Sequence, residues 1–221
     1  MENIDSIAVI APHPDDEVLG VGGTMARFAQ QGTQVNVLFV SGHLPPLYPI
    51  EAFKKTRAEA QEAMKEVGAS HVKFLEIPAT KVHVEPVAKL NKAVADFIKG
   101  AEPKIVFIPF PDRHIDHRAI FDSAMVATRP TYSGHPKIIL AYETLSETYW
   151  NAPGIEPHFS PEIFFDISDF TEIQNKISKH SIKLTEKFLE ETLNKEDHLE
   201  MINNSITELE KTLAHKNKFI Q

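Results

Sequence analysis

Ile7-Ala8-Val9-Ile10-Ala11-Pro12-His13-Pro14-Asp15-Asp16-Glu17 joins an unbroken apolar run to four ionisable side chains within five residues. The apolar half has the make-up of a strand buried on both faces. The charged half stands at the exit of that strand, where it is costly to place beside a core unless it holds a cation or performs chemistry. The arrangement returns later in the chain. Ile105-Val106-Phe107-Ile108 reads as a second buried strand, and His114-Ile115-Asp116-His117 follows it. Two such clusters, each at the carboxyl end of a parallel strand, can converge on one site.

Outward from these stretches the chain alternates strand and helix. Strands are predicted at 4–11, 34–40, 71–77, 104–110, 136–141 and 162–167. Helices are predicted at 17–31, 51–67, 87–99 and 118–127, with two more closing the chain at about 170–192 and 196–215. Gly32 and Gly68 stand where C-terminal helix caps belong. Such alternation predicts an α/β, Rossmann-like, mainly parallel sheet with helices on both faces. In such sheets ligands bind at the carboxyl ends of the strands, near a switch in strand order. One domain over 1–221 is expected, with the C-terminal helices packed on it. The loops 43–50 and 144–161 are the natural walls of a pocket.

Composition narrows the function further. The chain has no cysteine, so a metal site must use His, Asp or Glu, and a reducing compartment is the fitting one. The formal net charge is −8 and no basic stripe interrupts it, which argues against a nucleic-acid partner. The acidic start, Met1-Glu2-Asn3-Ile4-Asp5, does not read as a signal peptide. No apolar run approaches the roughly 18 residues of a membrane span. A cytoplasmic protein without a membrane partner is the expectation. The last predicted helix, with Leu199, Ile202, Ile206, Leu209 and Leu213 at helical spacing, suits packing, with a homo-oligomer face as the alternative.

His13 and Asp16 stand three apart at a strand-to-helix turn, and His114 and His117 share that spacing. Three protein ligands and an open position make a catalytic zinc site, and here four candidates compete for three places. Asp15 is left free to accept a proton from metal-activated water. Asp116 can orient one of its flanking histidines. Helix capping alone would account for Asp16, Glu17 and Asp116, but not for the histidines. Gly20-Val21-Gly22-Gly23 falls after the acidic turn, where carboxylates repel a pyrophosphate. Close packing is therefore expected there in place of dinucleotide binding.

Taken together, these residues resemble the PIG-L/LmbE-like zinc-dependent N-deacetylases. The resemblance is carried by Pro12–Glu17 with Leu19–Thr24, by Arg57-Ala58-Glu59, by Asp112–Arg118, by Tyr142-Glu143 and by Phe165–Ser168. It implies a Rossmann-like fold and one Zn²⁺ per chain on His13, Asp16 and His117, although such ligands also accept iron, cobalt or manganese. It implies Asp15 as general base. It gives His114, held by Asp116, the oxyanion, and leaves protonation of the leaving amine to His114 or Asp15. It makes Arg57 a substrate contact. The physical reading agrees: amide hydrolysis needs an activated water, a proton donor for the amine, and a metal and a cationic imidazole at the developing oxyanion.

The chain departs from the family pattern at Ser41-Gly42-His43, at Ile77-Pro78-Ala79-Thr80, which lacks the usual acid, and at the late helix, where His180-Ser181-Ile182 replaces the usual motif. These positions shape the pocket, where His43 is a candidate substrate contact and Tyr149 and Trp150 are candidates for stacking on a sugar. The function expected is removal of an acetyl group from an N-acetylated amino sugar or sugar conjugate. Alternatives are hydrolysis of another amide or acyl group, or a non-catalytic metal-binding role, against which Asp15 argues.

Overall fold

A computed structural model describes residues 4–145, 147–150, 152 and 154–178, all within one compact unit, Met1–His180. Its strands are β1 (Ser6–Ala11), β2 (Gln34–Gly42), β3 (His71–Pro78), β4 (Ile105–Pro109) and β5 (Ile138–Tyr142). Its helices are α1 (Asp16–Gln30), α2 (Ile50–Glu66), α3 (Val87–Ala101) and α4 (Ile115–Ala127). The strands form one parallel sheet in the order β3-β2-β1-β4-β5. Chain order therefore reverses between β1 and β4, and both charged clusters leave the sheet at that switch point.

Residue alternation in the central strands sends side chains to two cores. Ile7, Val9, Val37, Phe39 and Phe107 pack beneath α1 and α2, against Val18, Met25, Ala60 and Met64. Ala8, Ile10, Leu38, Val106 and Ile108 pack beneath α3 and α4, against Leu90, Val94, Ile98 and Ile120. Full burial of each large aliphatic side chain contributes about 1.5–3 kcal/mol. β1 is buried along its whole length, as its unbroken apolar run requires.

α1 is kinked. Val21 leaves helical geometry at φ −137°, ψ 17°. The side-chain amide of Gln174 covers the break, accepting from Gly23 N at 2.5 Å and donating to the Val18 carbonyl at 2.7 Å. The glycines of α1 serve contact, not phosphate. A Cβ at Gly20 would stand 2.3 Å from Tyr142 Cδ2, and one at Gly23 would stand 2.8 Å from Ile167 Cδ1.

The sheet has no strand at 162–167. Phe164 is 80% exposed there, while Phe165 sets its ring 5.8 Å from both Phe28 and Phe107. Arg27 Nη1 donates to the Asp166 carbonyl at 2.6 Å. The apolar alternation thus plugs a core and is not paired in a ladder. α4 begins three residues before its predicted start, because the His114 side chain caps it by accepting from Asp116 N. The predicted helix from about 170 is entered by a 3₁₀ turn at Ser168–Phe170 and is helical over 171–178. Its remainder and the predicted helix at 196–215 lie outside the described residues. No described helix is long and apolar enough to cross a membrane.

Candidate active site

β1 and β4 are neighbours, and their exits bring the two clusters together. The ring centres of His13 and His114 lie 4.7 Å apart, and those of His114 and His117 lie 4.8 Å apart. One nitrogen from each of His13, His114 and His117 falls within 4.8 Å of the others, which suits a single cation. Asp16 enters the same space. Its Oδ2 is 3.2 Å from His13 Nδ1 and 3.3 Å from His117 Nε2.

The far side of each ring separates ligands from donors. His13 Nε2 meets Asp116 Oδ2 at 3.0 Å, and His117 Nδ1 meets Asp112 Oδ2 at 2.9 Å. A carboxylate on one ring nitrogen holds the proton there and turns the other lone pair toward a metal. Those other nitrogens, His13 Nδ1 and His117 Nε2, are the two that face Asp16. His117 Nε2 is buried and makes no well-aligned hydrogen bond of its own. His114 is built the opposite way. Its Nδ1 accepts the Asp116 backbone N–H at 3.2 Å, so a neutral His114 carries its proton on Nε2 and offers a donor there. The donor set His13, Asp16 and His117 therefore fits zinc, with His114 beside it as a hydrogen-bond donor.

Electrostatics sharpen the division. Burial pulls His13 and His117 down, but the carboxylates of Asp116 and Asp16 raise His13 to about 9, and Asp16 and Asp112 raise His117 to about 10. A metal and a proton compete for the same nitrogens. Burial would raise Asp16, yet the charges of His117 and His13 hold it well below the usual carboxylate range. Burial and the positive charges of His13 and His117 push His114 down to about 4. The imidazole expected to meet the oxyanion is thus neutral near pH 7, not cationic. Burial and the charge of Asp16 raise Asp15 to about 7, which matches the demand on a general base at neutral pH.

The carboxylate of Asp116 reaches His13 and the Thr80 backbone N–H, at 2.7 Å, while only its own backbone N–H reaches His114. Asp112 is the site residue that spacing alone did not single out. Besides His117 it accepts the backbone N–H of His114 at 2.9 Å and the Thr148 hydroxyl at 3.2 Å. Its position at the exit of β4, two residues before the helix cap, was the available signal.

The two candidate substrate contacts lie toward β2 and β3. His43, at the end of β2, packs its ring 4.4 Å from Tyr48 and has a buried Nδ1 without a partner. Burial and the charge of His13 lower its pKa. Arg57, on α2, pairs with Glu76 and lies 4.8 Å from the Phe74 ring centre, on the β3 side of the sheet. Ser41 Oγ, Asp116 Oδ1 and Thr144 Oγ1 are also buried without partners at these strand ends. Unpaired buried polar atoms collect where ligand atoms belong.

Two sequence relatives and one solved structure resemble this chain. "Uncharacterized deacetylase YaiS" of Escherichia coli K12 is 28% identical over 183 residues, covering 79% of this chain and 89% of that one. Diacetylchitobiose deacetylase of Thermococcus kodakarensis is 27% identical over 192 residues, covering 78% and 67%. The crystal structure of N,N'-diacetylchitobiose deacetylase from Pyrococcus horikoshii shares the fold, with a TM-score of 0.64, 21% identity and coverage of 81% and 70%. The family model described as GlcNAc-PI de-N-acetylase matches residues 8–128, a span that contains both charged clusters. The chain therefore belongs to the PIG-L family of de-N-acetylases.

Proposed function

We propose that this protein is a zinc-dependent N-deacetylase acting on an N-acetylated amino sugar or sugar conjugate. The observation that carries the reading is the pair of carboxylate-backed imidazoles, His13 on Asp116 and His117 on Asp112, turning their other nitrogens toward Asp16. These three residues would hold one zinc ion. When bound, zinc supplies Lewis-acid polarisation of the acetamide and lowers the pKa of water to about 7.

The chain's own groups account for the protons. Asp15 takes one from the attacking water and returns it to the leaving amine. His114, neutral with a proton on Nε2, donates a hydrogen bond to the acetyl carbonyl oxygen as negative charge develops there. His43 and Arg57 are assigned to the sugar. The sugar assignment is supported by the family and by the names of the chitobiose deacetylases.

The test is acetate release from a panel of N-acetylglucosamine derivatives, N,N'-diacetylchitobiose among them, with and without a chelator. Release that the chelator abolishes and zinc restores is the expected result. Asp15→Ala is expected to retain zinc and lose about 10²–10⁴-fold in turnover. Full activity in that variant, or activity indifferent to the chelator, would overturn the reading.

A further inference from the structure

We propose that Glu17 is a positioning residue that sets Asp15 in place as the base, an inference that rests on the base role given to Asp15 above. Asp15 occupies the N-cap position of α1, where an aspartate ordinarily turns its carboxylate back onto the helix N–H groups. Here its side chain makes no such bond. Its backbone stands at φ 153°, ψ −32°, a region that residues other than glycine rarely enter.

Glu17 supplies the other half of the cap. Its carboxylate accepts the Asp15 backbone N–H at 3.1 Å, and it is only 1% exposed, in the first turn of α1. In a capping box the acid that reaches back sits at the third helical position and the N-cap side chain reciprocates. Here the acid is at the second position and nothing reciprocates. Glu17 thus ties down the strained backbone of Asp15, whose own carboxylate is not spent on capping the helix. A plain capping role for Glu17 would stabilise the helix without depending on what residue 15 does.

The decisive comparison sets Glu17→Gln, which keeps an acceptor oxygen, against Glu17→Met, which keeps the volume and loses the acceptor. In crystal structures of the zinc-loaded variants, Asp15 is expected to keep its φ in Glu17→Gln and to leave it in Glu17→Met. On the best substrate of the panel, Glu17→Met is expected to lose about tenfold or more in kcat with KM and zinc content unchanged. Added to Asp15→Ala it should cost nothing further. An unmoved Asp15 in Glu17→Met, or an equal loss from Glu17→Met with and without Asp15, would overturn the proposal. In the wild-type protein, exchange of the Asp15 amide hydrogen should be slow, and fast exchange overturns the proposal even where a variant fails to fold. If Asp15→Ala alone retains full turnover, the base reading falls, while the backbone of Asp15 in Glu17→Met still decides whether Glu17 holds it.

Discussion

The exits of β1 and β4 differ from the exits of β2 and β3 in how far their side chains are committed to one another. At the centre, Asp116, His13, Asp16, His117 and Asp112 form an unbroken chain of contacts, and Asp16, Asp112, Asp116 and His117 are no more than 3% exposed. Toward β2 and β3, Arg57 and Glu76 pair in half-exposed positions, and His43 keeps an unpartnered nitrogen. Buried, mutually paired charges fix one geometry because any movement leaves a charge without a partner. Exposed pairs are weak and replaceable. On the proposed reading, reaction chemistry would sit where the fold resists change, and substrate choice where it does not.

This contrast can be broken by experiment. The largest effect is expected from His117→Ala, which removes a proposed ligand and strands Asp112 and Asp16. Metal analysis should show zinc no longer retained, with acetate release lost alongside it. Retained zinc would move the ligand set toward His114. Next comes Asp112→Ala, expected to weaken zinc about 10–100-fold in a competitive chelator titration while leaving His117 in place. An unchanged affinity would mean that the Asp112 contact does not orient the ring.

A pH experiment sharpens the same point. Folded-state pKa values of about 9 for His13 and about 10 for His117 lie above the ordinary value near 6.5. Their contribution to the stability of the metal-free protein is complete below that ordinary value and is lost as pH rises through about 9 and 10. Asp16, held low, contributes above its ordinary range and loses that contribution as pH falls through its depressed folded value. The Tm of chelated protein should therefore fall from pH 7 to 10. Zinc binding near pH 7 should release protons, measured by calorimetry in buffers of different ionisation enthalpy. Binding without proton release would contradict the charge state of the site. The smallest effect belongs to the β2 and β3 side. Arg57→Ala is expected to raise KM several-fold with kcat nearly unchanged, and an equal fall in kcat would move Arg57 into the reacting centre.

The sequence was most legible where local pattern and tertiary environment agree. A run such as Ile7–Ile10, short, rich in β-branched residues and stopped by Pro12, reads as a doubly buried strand, and charges directly behind it then stand at the strand ends. The two clusters, the parallel sheet and the packing role of the α1 glycines followed from that. Ring orientation was not legible, because which nitrogen of His114 is free depends on how the turn into α4 aims the Asp116 N–H, two residues on, and spacing does not fix that. Asp112 was hidden for the same reason: its partners are defined by the turn after β4. Phe165 and Ile167 alternate as a strand would, yet a space between Phe28, Phe107 and Gly23 claims them. No local rule distinguishes an apolar residue that fills a gap from one that joins a ladder.

The break in α1 gives the chain a timetable. Gln174 lies 151 residues beyond Gly23, and its amide bridges the two halves of the helix that begins with Asp16. A nascent chain has made every proposed ligand and the proposed base before it has made that bridge. During synthesis the Gly23 N–H and the Val18 carbonyl cannot gain this partner until the segment around residue 174 has been made.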